Sequence, residues 1–146
     1  MSEAKDFFTS EQTAQIKNAI VEAELNTSGE VRVHIENSTS KELLDRAADV
    51  FEMLKMHKTD LRNGVLIYLA LKDKKFAIIG DVGINQKVEV NFWESIKDEM
   101  KIRFSQGNFV DGLCVGIIKS GEKLKHYFPY QKDDVNELSN EISYGE

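Results

Sequence analysis

Residues 64–71 carry the sequence GVLIYLAL, and this unbroken apolar run decides the fold. It is far shorter than the roughly 18 to 20 apolar residues that a membrane-spanning helix needs. A continuous run of this length is typical of a central strand that is covered on both faces. The polar residues 72–74 (KDK) then turn the chain, and residues 76–79 (FAII) return as an antiparallel strand. The run therefore predicts a buried strand followed by a hairpin.

The segment before this run predicts a second strand, parallel to the first. Apolar and polar residues alternate over residues 31–36 (VRVHIE), which is typical of a strand with one polar face. Between the two strands, Ser40 is the predicted N-cap of a helix, whose apolar stripe comprises Leu44, Ala47, Phe51 and Leu54. A strand, a helix and a strand in this order predict a right-handed parallel crossover.

Further helices flank this unit on both sides. Thr9 and Gln12 form a capping-box pattern before a helix that ends near residues 26–29 (NTSG). Two more helices follow the hairpin, one marked by Phe92, Ile96 and Met100, and one ending before Pro129. The predicted element order is α-β-α-β-β-α-α, an α/β fold with a small mixed sheet in a three-layer α/β/α sandwich. We expect residues 1–130 to form one domain and residues 131–146 to be an acidic, mobile tail.

Composition excludes several classes of protein. The chain has 146 residues, a net charge of −6 and a pI of about 5.2. Nucleic-acid binders carry a basic stripe, so nucleic acid is not an expected partner. The N-terminus has no positive segment followed by an apolar run, and no run is long enough to cross a bilayer, so we expect a cytoplasmic protein without membrane insertion. Cys114 is the single cysteine, which excludes an internal disulfide. The oligomeric state stays open.

Three stretches together carry a resemblance to a known family. They are residues 27–33 (TSGEVRV), residues 62–67 (RNGVLI), and residues 79–84 (IGDVGI) joined to residues 104–113 (FSQGNFVDGL). In their order and spacing they resemble the TPM domain family over residues 8–128. The resemblance implies an α/β/α sandwich, with phosphatase activity in some members, calcium binding in at least one, and an accessory role beside membrane complexes in others. Many members carry an export signal and a C-terminal anchor, and we expect neither here.

The predicted topology gathers polar residues at one end of the sheet. Glu30, Arg62 and Asn63 precede the two parallel strands, and the antiparallel strand brings Asp81 back to the same end. Ligands of open α/β sheets favour the other end, where the parallel strands finish. The cluster still has a chemical logic, because carboxylates suit calcium or magnesium and arginine suits phosphate.

The candidate site follows from this cluster. Asp81, Asp60 and Glu30 are the candidate metal ligands. Candidate binding residues are Arg62, Asn63, Gly80 and Gly83. In the alternative interpretation, Asp81 caps the next turn and Glu30 pairs with Arg62 or Arg32 at the surface.

Histidine and cysteine offer little more for catalysis. His57 lies in the loop before Asp60 and is a candidate proton donor beside Arg62, or simply a loop residue. His34 lies on the polar face of the first strand, where a surface or helix-contact role is expected. Cys114 is expected to be a small buried hydrophobe rather than a nucleophile.

Two functions remain open at this point. One is a weak phosphatase acting on phosphate esters, in which a divalent ion polarises a phosphoryl oxygen. The other is a non-catalytic protein-interaction or accessory module of the same fold. The expected partner is accordingly a phosphorylated small molecule or another protein.

Overall fold

The computed structural model describes residues 3–39, 41–130 and 140–145. The elements are α1 (Glu3–Asp6), α2 (Ser10–Glu24), β1 (Glu30–Glu36), α3 (Leu43–Met53), a 3-10 turn (Met56–Lys58), β2 (Gly64–Ala70), β3 (Lys75–Gly80), α4 (Val82–Asn85), α5 (Phe92–Ser105), α6 (Phe109–Tyr127) and β4 (Ser143–Tyr144). Within these ranges the seven predicted helices and strands occur in the predicted order, with four short additions: α1, the 3-10 turn, α4 and β4.

The described strands form one mixed sheet in the order β3-β2-β1-β4. Strands β1 and β2 are parallel, with Val33 opposite Ile67, and β3 pairs antiparallel to β2, with Ile78 opposite Ile67. Every residue of β2 is buried. The predicted central strand, its parallel neighbour and its hairpin partner are all confirmed.

Helices cover both faces of the sheet. One face carries the larger core, in which Val33 and Ile67 pack against residues such as Ile20 of α2 and Ile117 of α6. The other face carries a smaller core, where Leu66 packs with Phe51 of α3. The mixed α/β fold class is confirmed, and the two cores give it three layers.

The predicted N-cap is confirmed for one helix, α2, and a different residue occupies the N-cap of another, α3. The capping box of Thr9 and Gln12 is present, with Gln12 N donating to Thr9 Oγ1 at 3.1 Å. Helix α3 begins at Leu43 with Glu42 in the N-cap position, where its carboxylate accepts from Leu44 N at 3.0 Å. The predicted cap, Ser40, lies outside the described residues.

The end of the chain lies against the sheet. Strand β4 pairs parallel to β1, with Tyr144 opposite Ile35, and Ile142 is buried in the larger core. Residues 140–145 therefore contribute a short strand and one buried side chain in a segment for which the sequence predicts a mobile tail. Residues 131–139 lie outside the described residues, so the domain boundary at residue 130 stays a prediction.

Candidate functional site

Arg62 and Asp81 form a bidentate ion pair where β2 begins and β3 ends. Arg62 Nε lies 2.7 Å from Asp81 Oδ2, and Arg62 Nη2 lies 2.8 Å from Asp81 Oδ1. The Asp81 side chain is 5% exposed, whereas that of Arg62 is 45% exposed. The hydrogen bond to Asp81 raises the pKa of Arg62 above its ordinary value. This planar fork geometry is the strongest form of an arginine–carboxylate contact.

The local backbone fixes both partners. Arg62 lies in the left-handed region with φ of 53°, in the turn before β2, and its side chain reaches Asp81 at the end of β3. Asp81 is the N-cap of α4 and accepts from Val82 N at 2.8 Å, while its own N donates to Gly64 O at 2.9 Å. The capping role that the sequence offered as an alternative is thus present. The partner of Arg62 is Asp81, however, and not Glu30.

A surface cavity of about 470 Å³ brings most of the loop candidates together. Arg62, Asp81, Gly80 and His57 line it. The sequence placed Arg62 and His57 in one loop, and the structure adds that both face the same cavity as Asp81. The half-exposed guanidinium of Arg62 and the imidazole of His57 can together bind an anion, or they can donate hydrogen bonds to acceptor groups of a partner.

The three candidate metal ligands do not lie together in this way. Glu30 is buried and lines a separate cavity of about 410 Å³ that also includes Glu24. Strand β2 separates Glu30 from Asp81 by two inter-strand spacings, about 10 Å. Asp60 is exposed in the loop before β2. Within residues 3–39, 41–130 and 140–145, no group of three or more His, Cys, Asp and Glu residues is arranged to hold a metal ion.

The donor set therefore fits a divalent ion poorly as arranged. Both carboxylate oxygens of Asp81 already accept from the Arg62 cation. An ion at Asp81 would need Arg62 to move away, since two cations on one carboxylate repel each other. Calcium or magnesium binding stays a prediction, and it requires that Arg62 leave Asp81.

Gly80, Gly83 and Asn63 have structural roles in these loops. A Cβ on Gly83 would collide with the carbonyl oxygens of Leu61 and Arg62, and one on Gly80 would collide with Trp93. Asn63 is buried. Close packing accounts for the glycines, so they need no ligand to explain them.

A buried polar network at the carboxyl end of β1 was missed by the sequence analysis. Arg46 donates to Glu36 through Nε at 2.9 Å and through Nη2 at 3.0 Å, and Tyr68 OH also donates to Glu36. His34 Nε2 lies 3.1 Å from Glu36 Oε1, and His34 Nδ1 lies 2.8 Å from Ser143 Oγ. His34 is buried, which corrects the expected surface role. The sequence did contain a signal for this network. The polar positions of residues 31–36 include His34 and Glu36, and the apolar run of β2 contains one polar group, the hydroxyl of Tyr68.

Electrostatics make this network a structural anchor. Burial alone would raise the pKa of Glu36, but hydrogen bonds from Arg46, Tyr68 and His34 lower it to about 2. Burial lowers the pKa of His34. The order Ser143, His34, Glu36 resembles a nucleophilic relay, yet Gly145 packs so closely that a Cβ there would collide with Glu36 Oε1. The network attaches β4 to β1.

Comparison with known proteins places the chain in a family. The model of the TPM domain matches residues 1–122. The chain belongs to the TPM domain family. The NMR structure of the BA42 protein from the psychrophilic bacterium Bizionia argentinensis is 51% identical, with a TM-score of 0.88, and the match covers 95% of this chain and 96% of that one. No curated protein matches the chain.

More distant TPM-like folds show the architecture alone. The N-terminal domain of a protein from P. gingivalis is 17% identical with a TM-score of 0.68, covering 85% of this chain and 82% of that one. The N-terminal domain of the cg2496 protein from Corynebacterium glutamicum is 12% identical with a TM-score of 0.64, covering 80% and 74%. In the described part of this TPM domain, no helix has the length and apolar character needed to span a membrane.

Proposed function

We propose that this TPM domain is a non-catalytic protein-interaction module that binds its partner at the Arg62 loop. The observation that carries the proposal is the ion pair between Arg62 and Asp81. Three donors within 2.8 Å, two from Arg62 and one from Val82 N, hold the Asp81 carboxylate. A group held in this way shapes a surface rather than exchanging ligands during a reaction.

The residues around the pair of Arg62 and Asp81 support a protein-binding surface. Leu61 and Val82 flank it, and about half of each side chain is exposed. Arginine is enriched in protein interfaces and in their binding hot spots, and the exposed Leu61 and Val82 add apolar contact area beside it. The cavity of about 470 Å³ next to these residues provides a recess for one anchoring side chain of a partner. The expected partner presents an apolar anchor together with polar or phosphorylated groups that face Arg62.

Metal-assisted phosphatase activity is the second candidate function. It is favoured by His57, which lines the same cavity as Arg62, in reach of a phosphate bound there. It requires Asp81 to exchange the guanidinium for a metal ion, with Asp60 as a further ligand. Cys114 does not supply a nucleophile, because burial raises the pKa of its thiol.

A hydrolysis assay separates the two functions. We would follow p-nitrophenyl phosphate with calcium or magnesium for the wild type and for Asp81→Asn. The interaction module predicts the same background rate for both. A metal-dependent rate in the wild type that Asp81→Asn abolishes would contradict the proposal and support the phosphatase.

A binding comparison tests the interaction surface itself. Affinity capture is repeated with the Leu61→Ser/Val82→Ser variant and with Val21→Ser/Ile102→Ser, a control pair of equally exposed aliphatic residues outside the loop. We expect captured proteins to be lost with the first variant and kept with the second. Loss with both variants, or with neither, would place the interface elsewhere.

A further inference from the structure

A second cavity, of about 440 Å³, lies at the opposite end of the sheet and is lined by aromatic rings. Phe76 and Phe104 meet edge to face with centroids 4.8 Å apart, Phe104 and Phe109 stack at 5.6 Å, and Phe7 meets Phe109 at 5.5 Å. Leu71 completes the apolar lining. Phe7 is 43% exposed, so the rings form an open cleft. None of these residues takes part in the Arg62 loop or in the network around Glu36.

Lysines lie at the rim of this apolar cleft. Lys74, at the tip of the hairpin between β2 and β3, and Lys101, on α5, both line it and are exposed. No carboxylate in residues 3–39, 41–130 or 140–145 forms an ion pair with either lysine. The acid nearest to Lys74 in sequence is Asp73, whose Oδ2 accepts from Thr39 N at 2.7 Å, and the acid nearest to Lys101 is Glu99, whose Oε2 lies 3.9 Å from Lys119 Nζ. The rim therefore presents two lysine cations that no carboxylate of the described residues pairs with, on a chain whose net charge is −6.

The position in the fold favours a small ligand. Leu69 lies at the carboxyl end of β2 and Leu71 follows that strand directly, which is the end where open α/β sheets bind ligands. Phe109 is the first residue of α6, a helix of 19 residues, so the positive end of its dipole faces the cleft. The volume also lies within the range of about 300 to 1,000 Å³ that is usual for small-molecule sites.

We propose that this cleft binds a small amphiphilic anion, namely an acyl or aryl chain that ends in a carboxylate. The four phenylalanine rings take up the apolar chain, and Lys74 and Lys101 bind the carboxylate at the rim. A neutral chain of the same length lacks the second contact, and a cationic one is repelled by both lysines. The charges at the rim thus select an anion over other apolar ligands.

The test uses decanoate as the probe and the full ¹⁵N-labelled chain. We expect saturable amide shifts centred on Phe7, Leu71, Phe76 and Phe109, with weaker binding of decan-1-ol and none of decyltrimethylammonium. The Lys74→Gln/Lys101→Gln variant should raise the Kd for decanoate at least about fivefold, because two favourable charge contacts are lost. Lys58→Gln/Lys87→Gln removes two exposed lysines at the other end of the sheet and should leave the Kd unchanged.

Several results would overturn the proposal. Equal shifts with decyltrimethylammonium would show that the charges do not select the ligand. Shifts centred on Arg62, or no shifts up to the solubility limit of decanoate, would remove the site. If the same amides shift with protein concentration alone and sedimentation shows a dimer, the cleft is covered by a second copy of the chain instead. The melting temperature of each variant confirms that the fold is retained.

Discussion

Two arginine–carboxylate pairs lie at opposite ends of the sheet and differ chiefly in burial. Arg46 and Glu36 meet at the carboxyl end of β1, where their side chains are 21% and 2% exposed. Arg62 and Asp81 meet where β2 begins, and there the arginine is 45% exposed. Both pairs are bidentate, with donor–acceptor distances between 2.7 and 3.0 Å. The contact chemistry is the same, so it cannot by itself tell a structural pair from a functional one.

Their surroundings make the difference. Glu36 also accepts from Tyr68 and contacts His34, which in turn contacts Ser143, so the pair belongs to a closed network. Arg62 faces a cavity, beside exposed aliphatic residues. A buried charge that loses its partner pays the full cost of desolvation, whereas an exposed one regains water. The first pair is therefore enclosed by the fold, whereas the guanidinium of the second remains exposed beside a cavity.

The largest expected effect is on the buried pair. Arg46→Met removes the guanidinium and leaves the buried Glu36 carboxylate with its contacts to Tyr68 and His34 but without a cationic partner. We expect the free energy of unfolding to fall by about 3 to 5 kcal/mol, as for other broken buried ion pairs. Urea denaturation followed by circular dichroism measures it.

Arg62→Met is the matched substitution at the exposed pair. It makes the same chemical change and should cost clearly less stability, because the Arg62 side chain is 45% exposed and its removal opens the Asp81 carboxylate to water, while Val82 N still donates to that carboxylate. A larger loss for Arg62→Met than for Arg46→Met would reverse the assignment of structural and functional roles.

Acid titration tests how much the buried pair of Arg46 and Glu36 contributes to stability. The folded pKa of Glu36 is about 2, below its ordinary value of 4.5, so its contribution is fully present above about pH 4.5 and is lost as the pH falls toward 2. The loss should reach at most about 3 kcal/mol. His34 adds a slope of the same sign, since burial lowers its pKa and the unfolded chain takes up the proton first below its ordinary value of 6.5.

Glu36→Gln removes the pH dependence of stability that comes from Glu36, and this variant serves as the control. We would compare the stability of the variant and the wild type at intervals from about pH 7 to pH 3. If the two curves run parallel, Glu36 is not the group that titrates.

The architecture was predictable because the signals were local. The apolar run at residues 64–71 and the alternation at residues 31–36 placed the two parallel strands correctly. The pairing of Arg62 with Asp81 was not predictable, although both residues had been assigned to one end of the sheet. It depends on the left-handed turn at Arg62, which periodicity does not reveal.

The network around Glu36 escaped prediction for a different reason. Its members come from β1, α3, β2 and β4, and only the packed sheet brings them together. The last of these strands has two residues and lies in a polar, acidic segment, where one buried side chain, Ile142, outweighs the surrounding polarity. A single apolar residue, Ile142, forms no periodic pattern, so periodicity could not predict this strand.

A third prediction concerns the attachment of β4 to the network. Ile142→Ala removes a buried side chain from the larger core and should cost about 2 kcal/mol, the low end for such truncations because the site lies at the end of the chain. Ser143→Ala removes the contact with His34 and should cost about 1 kcal/mol. Hydrogen exchange at Gly145 N, which donates to Ile35 O, reports whether β4 stays attached. Unchanged stability and protection in both variants would show that the end of the chain contributes nothing.

The smallest expected effect concerns a third carboxylate, Glu24, which is only partly buried and forms no hydrogen bond or ion pair with an arginine among the described residues. Burial raises the pKa of Glu24 to about 7, although its Oε2 accepts from Val31 N at 2.8 Å, and the nearby Glu30 raises it further. Because the folded pKa lies above the ordinary value of 4.5, the associated stability is fully present below that value and is lost as the pH rises through 7. Glu24→Gln keeps an acceptor for Val31 N and carries no charge. It should therefore stabilise the protein by about 1 kcal/mol at pH 8 and by much less at pH 5. Thermal unfolding at the two pH values decides the matter, and a variant less stable than the wild type at pH 8 would show that the carboxylate charge at Glu24 is compensated after all.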